Sequence, residues 1–418
     1  MPRTSSSRCE SPCRVTLLTS CGPGAVATVG VFGPGAAGCL DICFHSASGR
    51  QPARLPAGRI LFGRWRNTRG LEEEVVVCRC AEQQFEIHCH GGQEASEAVI
   101  ESLVAAGATR DVPAAWLDHT MADPIQRSAW LTLSQATTRR TSVILLDQYR
   151  GALRESLQQC EADLSVASHD PQARERACRT IDRLLELAEV GLHLVKPWRI
   201  VVAGPPNVGK SSLINRILGY ERAIVLEQPG TTRDALQATT ALDGWPCEIA
   251  DTAGIRAAAG PVEQAGIERA RAWCLSANLV IEVRDATQSW MEQDRLPSGP
   301  LPILRVANKW DLLPRHAGHQ VPPDALSTSM VTGEGLDALL KAIVARLVPM
   351  PPQPGEAVPF SDAQVAALRH IDAALRQDNW QEAAAVIAQW LAIGVEHPGD
   401  LTYTPSFTDD DGSTTDRP

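Results

Sequence analysis

The chain has 418 residues, 44% of them hydrophobic, which is enough for two to four domains with ordinary buried cores. Its formal net charge of −10 argues against a protein whose whole surface attracts nucleic acid, but it does not exclude a local basic patch. Neither a signal peptide nor an apolar run near 18 residues is evident, and the twelve cysteines lack CxxC spacing. We therefore expect a cytoplasmic protein without membrane contact or a zinc site, in which most thiols are reduced.

Residues 13–110 show the pattern of an α+β domain. A helix is predicted over 94–106, where Val99 and Leu103 belong to a buried stripe. Runs that are rich in β-branched residues predict strands over 15–19, 25–32, 61–65, 75–80 and 85–90.

A cluster of arginines without any acidic residue lies between His45 and Leu71. The cluster is either a set of solvated loop and strand-end cations or a contact with RNA or phosphate. Its members are Arg50, Arg54, Arg59, Arg64, Arg66 and Arg69.

The most specific motif lies between Trp198 and Gly219. A β-branched run over 200–203 predicts a buried strand, and residues 204–211 then match GxxxxGK[ST] before a helical pattern begins. In this context the backbone amides form an anion cradle at a helix N-terminus, Lys210 reaches the outer phosphates, and the Ser211 hydroxyl suits Mg²⁺. The candidate nucleotide-binding residues here are Asn207, Val208, Gly209, Lys210, Ser211 and Ser212.

Further motifs follow in order and predict that the nucleotide is GTP. Residues 308–311, NKWD, come after a predicted strand, and Asp311 can accept the N1 and N2 protons of guanine, a pairing that adenine cannot offer. Residues 230–234 offer a threonine for Mg²⁺, residues 251–254 form a DTAG motif, and residues 329–331 lie where a loop would back the base. The candidates are Gly230, Thr231, Thr232, Asp251, Thr252, Ala253, Gly254, Asn308, Lys309, Trp310, Asp311, Ser329, Met330 and Val331.

Helical patterns lie on both sides of this region. Asp170 with Pro171 predicts a helix start, and a capping box begins at Ser361. The sequence therefore predicts an α/β P-loop GTPase domain inserted in an α-helical domain, after the N-terminal α+β domain. The predicted bounds are 198–348 for the GTPase domain, 111–197 and 355–395 for the helical domain, and 396–418 for a disordered tail.

Two roles in GTP hydrolysis are left without an evident residue. Ile255 follows the DTAG motif, where Ras-like GTPases place a glutamine that orients the attacking water. An isoleucine side chain cannot form that hydrogen bond, and no arginine is evidently placed to act from within the chain. Water orientation and an additional positive charge must come from other groups.

Several stretches resemble the family of the tRNA modification GTPase MnmE, also called TrmE. PPNVGKSSLIN, YERAIVLEQPGTTRDAL, and DTAGIR with VEQAGIERA are similar to its GTPase domain. FEIHCHGG, residues 85–92, is similar to the signature near the end of its N-terminal domain. The likeness covers residues 14–108 and 198–348, and it implies an N-terminal domain that forms a homodimer and a GTPase domain inserted between helical segments.

The resemblance also implies how the two open roles are filled. K⁺ would replace the arginine charge, bound by Asn207 and by backbone carbonyls of the following loop. Glu263 matches the glutamate that orients the water; the alternative is a solvated acid at a helix entry. Thr232 would be the second Mg²⁺ ligand beside Ser211. The catalytic residues are then Glu263, Lys210 and Asn207, the K⁺ ligands are Asn207, Leu226, Gln228 and Thr231, and the nucleotide contacts gain Leu226, Glu227, Gln228 and Pro229.

The function that the resemblance implies is hydrolysis of GTP to GDP and phosphate in 5-carboxymethylaminomethyl-type modification of the tRNA wobble uridine. The implied partners are a second copy of the chain, an MnmG-like flavoprotein and tRNA. Two departures leave an alternative open: the chain ends without the family's Cys-Ile-Gly-Lys motif, and residues 109–130 do not match the stretch that feeds the family's folate pocket. The alternative is a GTP-controlled switch that has lost the modification chemistry and regulates another RNA or protein partner. A third alternative, a ribosome-assembly GTPase of the Era or Der type, is weaker, because it requires a KH-type RNA-binding module after the GTPase domain and only a short helical segment follows here.

A folate derivative is a further cofactor of the family. Its candidate site here is the His88, Cys89 and His90 triplet, which otherwise packs or bonds the turn before Gly91.

Overall fold

The computed structural model describes residues 13–19, 24–66, 70, 72–220, 237–251, 277–290, 302–313 and 321–395. The chain divides into two compact units, Met1–Ala122 and Asp123–Pro418. Within the described ranges, no helix is both long enough and apolar enough to cross a membrane. The tail that we predicted to be disordered, residues 396–418, lies outside the described residues.

The first unit contains all the strands and the helix that the sequence predicted, together with shorter elements that it did not. The additional elements are two- and three-residue strands and two eight-residue helices, too short to show a clear period. In chain order the elements are β1 (Arg14–Leu17), β2 (Val26–Phe32), α1 (Ala36–Cys43), β3 (Phe44–Ser46), β4 (Arg59–Arg66), β5 (Glu72–Ala81), β6 (Gln84–His90), α2 (Gln93–Ala105), β7 (Thr109–Arg110) and α3 (Pro113–Thr120).

These strands form one seven-stranded sheet in the order β3-β4-β5-β6-β2-β1-β7. Successive residues of β4 face opposite sides of the sheet: Leu61, Gly63 and Trp65 point into the core, and the residues between them are exposed, the apolar Phe62 included. Helices α1 and α2 cover that face, where Val99 and Leu103 are completely buried.

The position of α3 corrects one expectation from the sequence. The sequence predicts that the helical domain begins at residue 111, but α3 packs against β1 and β2, and the first unit extends to Ala122. The Trp116 ring lies so close to Gly30 that a Cβ atom there would be 2.7 Å from it, and Trp116 also meets Phe32 edge-on at a centroid distance of 5.5 Å. Burial of the large Trp116 ring against apolar residues of the sheet stabilises α3 in the first unit.

The second unit combines helices with a second sheet. In chain order its elements are α4 (Pro124–Leu133), α5 (Arg139–Tyr149), α6 (Ala152–Val166), α7 (Pro171–Glu186), α8 (Ala188–Leu192), β8 (Trp198–Ala203), α9 (Lys210–Tyr220), β9 (Gln237–Leu242), β10 (Trp245–Asp251), β11 (Leu279–Asp285), β12 (Ile303–Asn308), β13 (Leu326–Ser327), α10 (Leu336–Leu347), α11 (Asp362–Arg376) and α12 (Trp380–Ile393).

The second sheet has six strands in the order β13-β12-β11-β8-β10-β9, and β9 is the one antiparallel member among those described. The central strand β8 is flanked by β10 and β11, and its Ile200 and Val202 are fully buried, as the apolar run predicted. Because parallel strands point the same way, the loops after β8, β11 and β12 emerge at one edge of the sheet.

The helices that follow the sheet pack on helices that precede it. Helix α12 contacts α6 and α11 contacts α7, and Leu157 of α6 shares a core with Trp390 of α12. The segment before α11 is fixed by Gln148 of α5, whose amide donates to the Glu356 carbonyl at 2.9 Å and accepts from the Val358 amide at 3.1 Å.

Candidate nucleotide-binding site

The loop between β8 and α9 has the backbone that an anion cradle requires. Gly204 and Gly209 have φ values of +148° and +99°, which favour glycine, and Asn207 has φ +61°. A Cβ atom on Gly204 would lie 2.0 Å from the Val283 carbonyl oxygen, so only glycine lets the loop pass this close to β11. The helix then begins at Lys210, and its first amides face the loop.

Lys210 lies inside this loop. The residue is only 6% exposed, and its ammonium group donates to the carbonyl oxygens of Gly204 at 3.1 Å and Pro205 at 2.8 Å. A buried ammonium group needs such acceptors because its desolvation is unfavourable. The contacts hold a positive charge at the centre of the loop, where a phosphate oxygen can bind.

The residue after Lys210 meets the end of β10. The Ser211 hydroxyl donates to a carboxylate oxygen of Asp251 at 3.3 Å, although the two residues are 40 positions apart. A hydroxyl and a carboxylate are the hard oxygen donors that Mg²⁺ prefers. The two side chains therefore fit an Mg²⁺ ion beside the phosphates.

Asn308 connects the predicted base-recognition motif to the phosphate loop. It is 3% exposed, its amide nitrogen donates to the Val208 carbonyl oxygen at 2.8 Å, and its amide oxygen accepts from the Thr328 hydroxyl at 3.4 Å. A Cβ atom on Gly209 would lie 2.3 Å from this amide nitrogen. The side chain therefore joins two loops that the sequence could only list separately.

The next residues carry the candidate base contacts. Lys309 has φ +65°, and a single 3₁₀ turn, Trp310–Leu312, follows it. Asp311 is exposed on this turn, as a carboxylate that binds an incoming base must be. The Lys309 ammonium donates to Asp285 at 2.7 Å.

Asp285 ends β11, and sequence reasoning missed it as a site residue. Its signal was available: an acid directly after an apolar strand, at the edge where the other motifs lie. Burial alone would raise the pKa of the Asp285 carboxyl, but hydrogen bonds from Lys309 and Thr287 outweigh burial and hold that pKa below its ordinary value. The carboxylate form is the one that the site stabilises.

The loop of residues 329–331 lies beside α9. Ser329 is completely buried and its amide donates to the Glu334 carbonyl at 2.9 Å, whereas Val331 is 78% exposed. Arg216 of α9, which the sequence did not single out, donates to the carbonyls of Met330 and Val331, both at 3.1 Å. Its guanidinium thereby fixes two successive peptide groups next to the candidate base site.

The other candidate residues lie outside the part of the chain that the structure describes. They include the predicted water-orienting acid and most of the predicted K⁺ ligands. These residues are Leu226, Glu227, Gln228, Pro229, Gly230, Thr231, Thr232, Thr252, Ala253, Gly254 and Glu263.

The His88, Cys89 and His90 triplet lies on β6 in the first unit. His88 contacts the Thr28 hydroxyl at 3.1 Å, and His90 contacts Glu73 at 3.0 Å. Cys89 points into the core, where burial, with a smaller effect of Glu73, raises the pKa of its thiol to about 11. A strand places neighbouring side chains on opposite faces, so the three do not converge on one ligand.

Comparison with known proteins extends the likeness beyond this site. A family model described as "50S ribosome-binding GTPase" matches residues 199–309. The tRNA modification GTPase MnmE of Syntrophotalea carbinolica is 33% identical, with 80% of this chain and 81% of that protein covered. MnmE of Thermus thermophilus is 33% identical over 84% of this chain and 86% of its own, and MnmE of Akkermansia muciniphila is 31% identical over 92% and 93%.

Proposed function

The chain belongs to the family of tRNA modification GTPases MnmE, and from this premise we propose that it hydrolyses GTP to GDP and phosphate in the modification of the tRNA wobble uridine. The observation that carries the GTPase part is the hydrogen bond from Asn308 to Val208, since it brings base and phosphate recognition into one site. The tRNA part rests on relatives that match both units of the chain, not the GTPase region alone.

The chain's own groups have defined tasks in this reaction. Lys210 binds a phosphate oxygen from within the loop, and Asp311 accepts the guanine protons. Ser211 and Asp251, with Thr232, would hold Mg²⁺, which neutralises phosphate charge when it is bound.

The proposal includes K⁺ as the additional positive charge. Asn207 lies on the phosphate loop, is exposed and has φ +61°, and a neutral amide oxygen suits a large, weakly hydrated cation. Leu226, Gln228 and Thr231 would complete its ligands, and Glu263 would orient the water. Both assignments rest on family membership and on the absence of a glutamine at position 255.

The proposed organisation follows the family. The GTPase domain, 198–348, is inserted in a helical domain, which is supported by the contacts of α11 and α12 with α7 and α6. A second copy of the chain, tRNA and an MnmG-like flavoprotein in the cytoplasm are the proposed partners. A folate derivative in the N-terminal domain stays a prediction from the resemblance.

The GTPase part is tested by measuring GTP hydrolysis of the purified protein in KCl and in NaCl, for wild type, Asn207→Ala and Glu263→Ala. We expect K⁺ to raise the rate tenfold or more, roughly 1.4 kcal/mol of barrier, and both substitutions to abolish the gain. Asn379→Ala, which removes the cap of α12 and a hydrogen bond to Glu382 far along the chain, serves as the matched control. Equal rates in both salts would contradict the K⁺ assignment while leaving hydrolysis intact.

The tRNA part needs a separate readout. Mass spectrometry of total tRNA from a deletion strain should show loss of the modified wobble uridine, restored by the wild-type gene and not by Lys210→Ala. Unchanged tRNA in the deletion strain would instead favour the switch that regulates another partner.

A further inference from the structure

Asp285 lies next to the base-recognition motif in the sheet, although it belongs to no nucleotide motif itself. In the sheet register it stands directly beside Asn308, and the next amide, of Ala286, donates to the Asn308 carbonyl at 2.8 Å. The Asp285 side chain is 7% exposed. A buried carboxylate at this place needs a reason, because its desolvation is unfavourable.

Both carboxylate oxygens of Asp285 are used, each in a different direction. One accepts from the Lys309 ammonium at 2.7 Å. The other accepts from the amide of Thr287 at 3.0 Å and from its hydroxyl at 2.7 Å. Thr287 thus fixes the orientation of the carboxylate, and the carboxylate fixes Lys309.

Lys309 is the residue at which the chain turns from β12 into the 3₁₀ turn that carries Asp311. Its φ of +65° is unfavourable for a lysine, so the turn persists only where neighbouring contacts hold it. The Lys309 side chain is one-third exposed, and its described ion-pair partner is Asp285. Without the Asp285 carboxylate, the ammonium group would be more stable when hydrated by solvent than when held against the loop.

We propose that Asp285 is a positioning residue for guanine recognition, which holds Lys309 and thereby sets the place at which Asp311 meets the base. The inference rests on the proposed binding of GTP and deepens it. Asp285 does not touch the nucleotide; it acts through Lys309, and Thr287 supports it.

The proposal predicts a change in selectivity as well as in affinity. Inosine lacks the exocyclic N2 amino group of guanine, so GDP and IDP differ in one of the two protons that Asp311 accepts. If Asp311 is displaced, the preference for GDP over IDP decreases. General damage to the site instead lowers the affinity for both nucleotides by the same factor.

The experiment measures Kd for GDP and IDP with full-length wild type, Asp285→Asn, Lys309→Ala and the double variant. We expect Asp285→Asn to weaken GDP about tenfold and to lower the preference for GDP over IDP at least threefold. In the Lys309→Ala background, Asp285→Asn should add no further change, because the residue through which it acts is gone. Asp372→Asn, which breaks an aspartate–arginine pair on α11, should leave both Kd values unchanged.

Two results would overturn the inference: equal losses for GDP and IDP, or an Asp285→Asn effect that persists in full in the Lys309→Ala background. If Asp285→Asn does not fold, the same measurement is made with Thr287→Val. We expect this variant to lower the preference for GDP over IDP by a smaller factor, and an unchanged preference would overturn the proposal. If the wild-type protein binds neither GDP nor IDP, the proposed function itself is contradicted. That result differs from the two that would overturn the role of Asp285.

Discussion

Asn308 donates a hydrogen bond of 2.8 Å to the carbonyl oxygen of Val208, a residue 100 positions earlier in the chain. The bond is buried, and its acceptor lies in the loop that surrounds Lys210. It makes the two halves of the nucleotide site depend on each other, because a shift of either loop leaves a polar group without its partner.

Substitution of Asn308 by alanine should weaken nucleotide binding through the phosphate loop as well as through the base loop. The Val208 carbonyl would lose a buried donor, an effect of about 2 kcal/mol or roughly 30-fold in Kd for GDP. Titration with a fluorescent GDP analogue measures the change. Asn379→Ala is the control, since it removes the cap of α12, should lower stability by about 1 kcal/mol and should leave Kd unchanged.

Gly209 precedes α9 and Gly219 lies near its end, and alanine should have different effects at the two positions. At Gly209, with φ +99°, the new Cβ atom would lie 2.3 Å from the Asn308 amide nitrogen, so we expect at least a tenfold loss in GDP affinity. At Gly219 a Cβ atom meets nothing within 4 Å, and alanine should raise helix stability by about 0.5–1 kcal/mol. Equal affinities for the two variants would show that the Gly209 contact does not shape the site.

Asp311→Asn should change which base the protein prefers. Asparagine offers one acceptor and one donor, which suits the N1 proton and C2 carbonyl of xanthine but not the two donors of guanine. We expect GDP to bind about 100-fold more weakly and XDP to bind better than it does to wild type. Competition between the two nucleotides measures the exchange, and a variant that loses affinity for both would place the base elsewhere.

The pair of Arg183 and Glu356 should make stability depend on pH. Hydrogen bonding from Arg183 at 2.8 Å, aided by the Gln353 amide and opposed by burial, lowers the pKa of Glu356. A depressed folded-state pKa gives stability that is present above the unfolded pKa and is lost as the pH falls through the folded one.

Glu356→Gln should therefore lower Tm by about 2 °C at pH 7, and the difference from wild type should shrink below about pH 4. Thermal unfolding at several pH values tests this. The matched control is Glu186→Gln, which loses a pair with the same arginine at a more exposed carboxylate and should have a smaller effect. A Tm difference for Glu356→Gln that does not vary with pH would contradict the pairing.

The sequence by itself determined the phosphate loop, the base-recognition motif and most strands of the first unit. Each is local: the order of glycines, Lys210 and Ser211 specifies a loop and its chemistry within a few residues. The β-branched run over 200–203 likewise specifies a buried strand within four residues.

Only the tertiary structure decided the partners of these elements. Helix α3 has an apolar face that periodicity cannot assign to one unit or another, and the contact of Trp116 with Gly30 placed it on the first. Arg216 and Asp285 serve the site through residues 114 and 24 positions away, distances over which the sequence carries no pattern. Local sequence indicates that a segment is a strand or a helix, but the atoms its side chains meet depend on how the strands are ordered in the sheet.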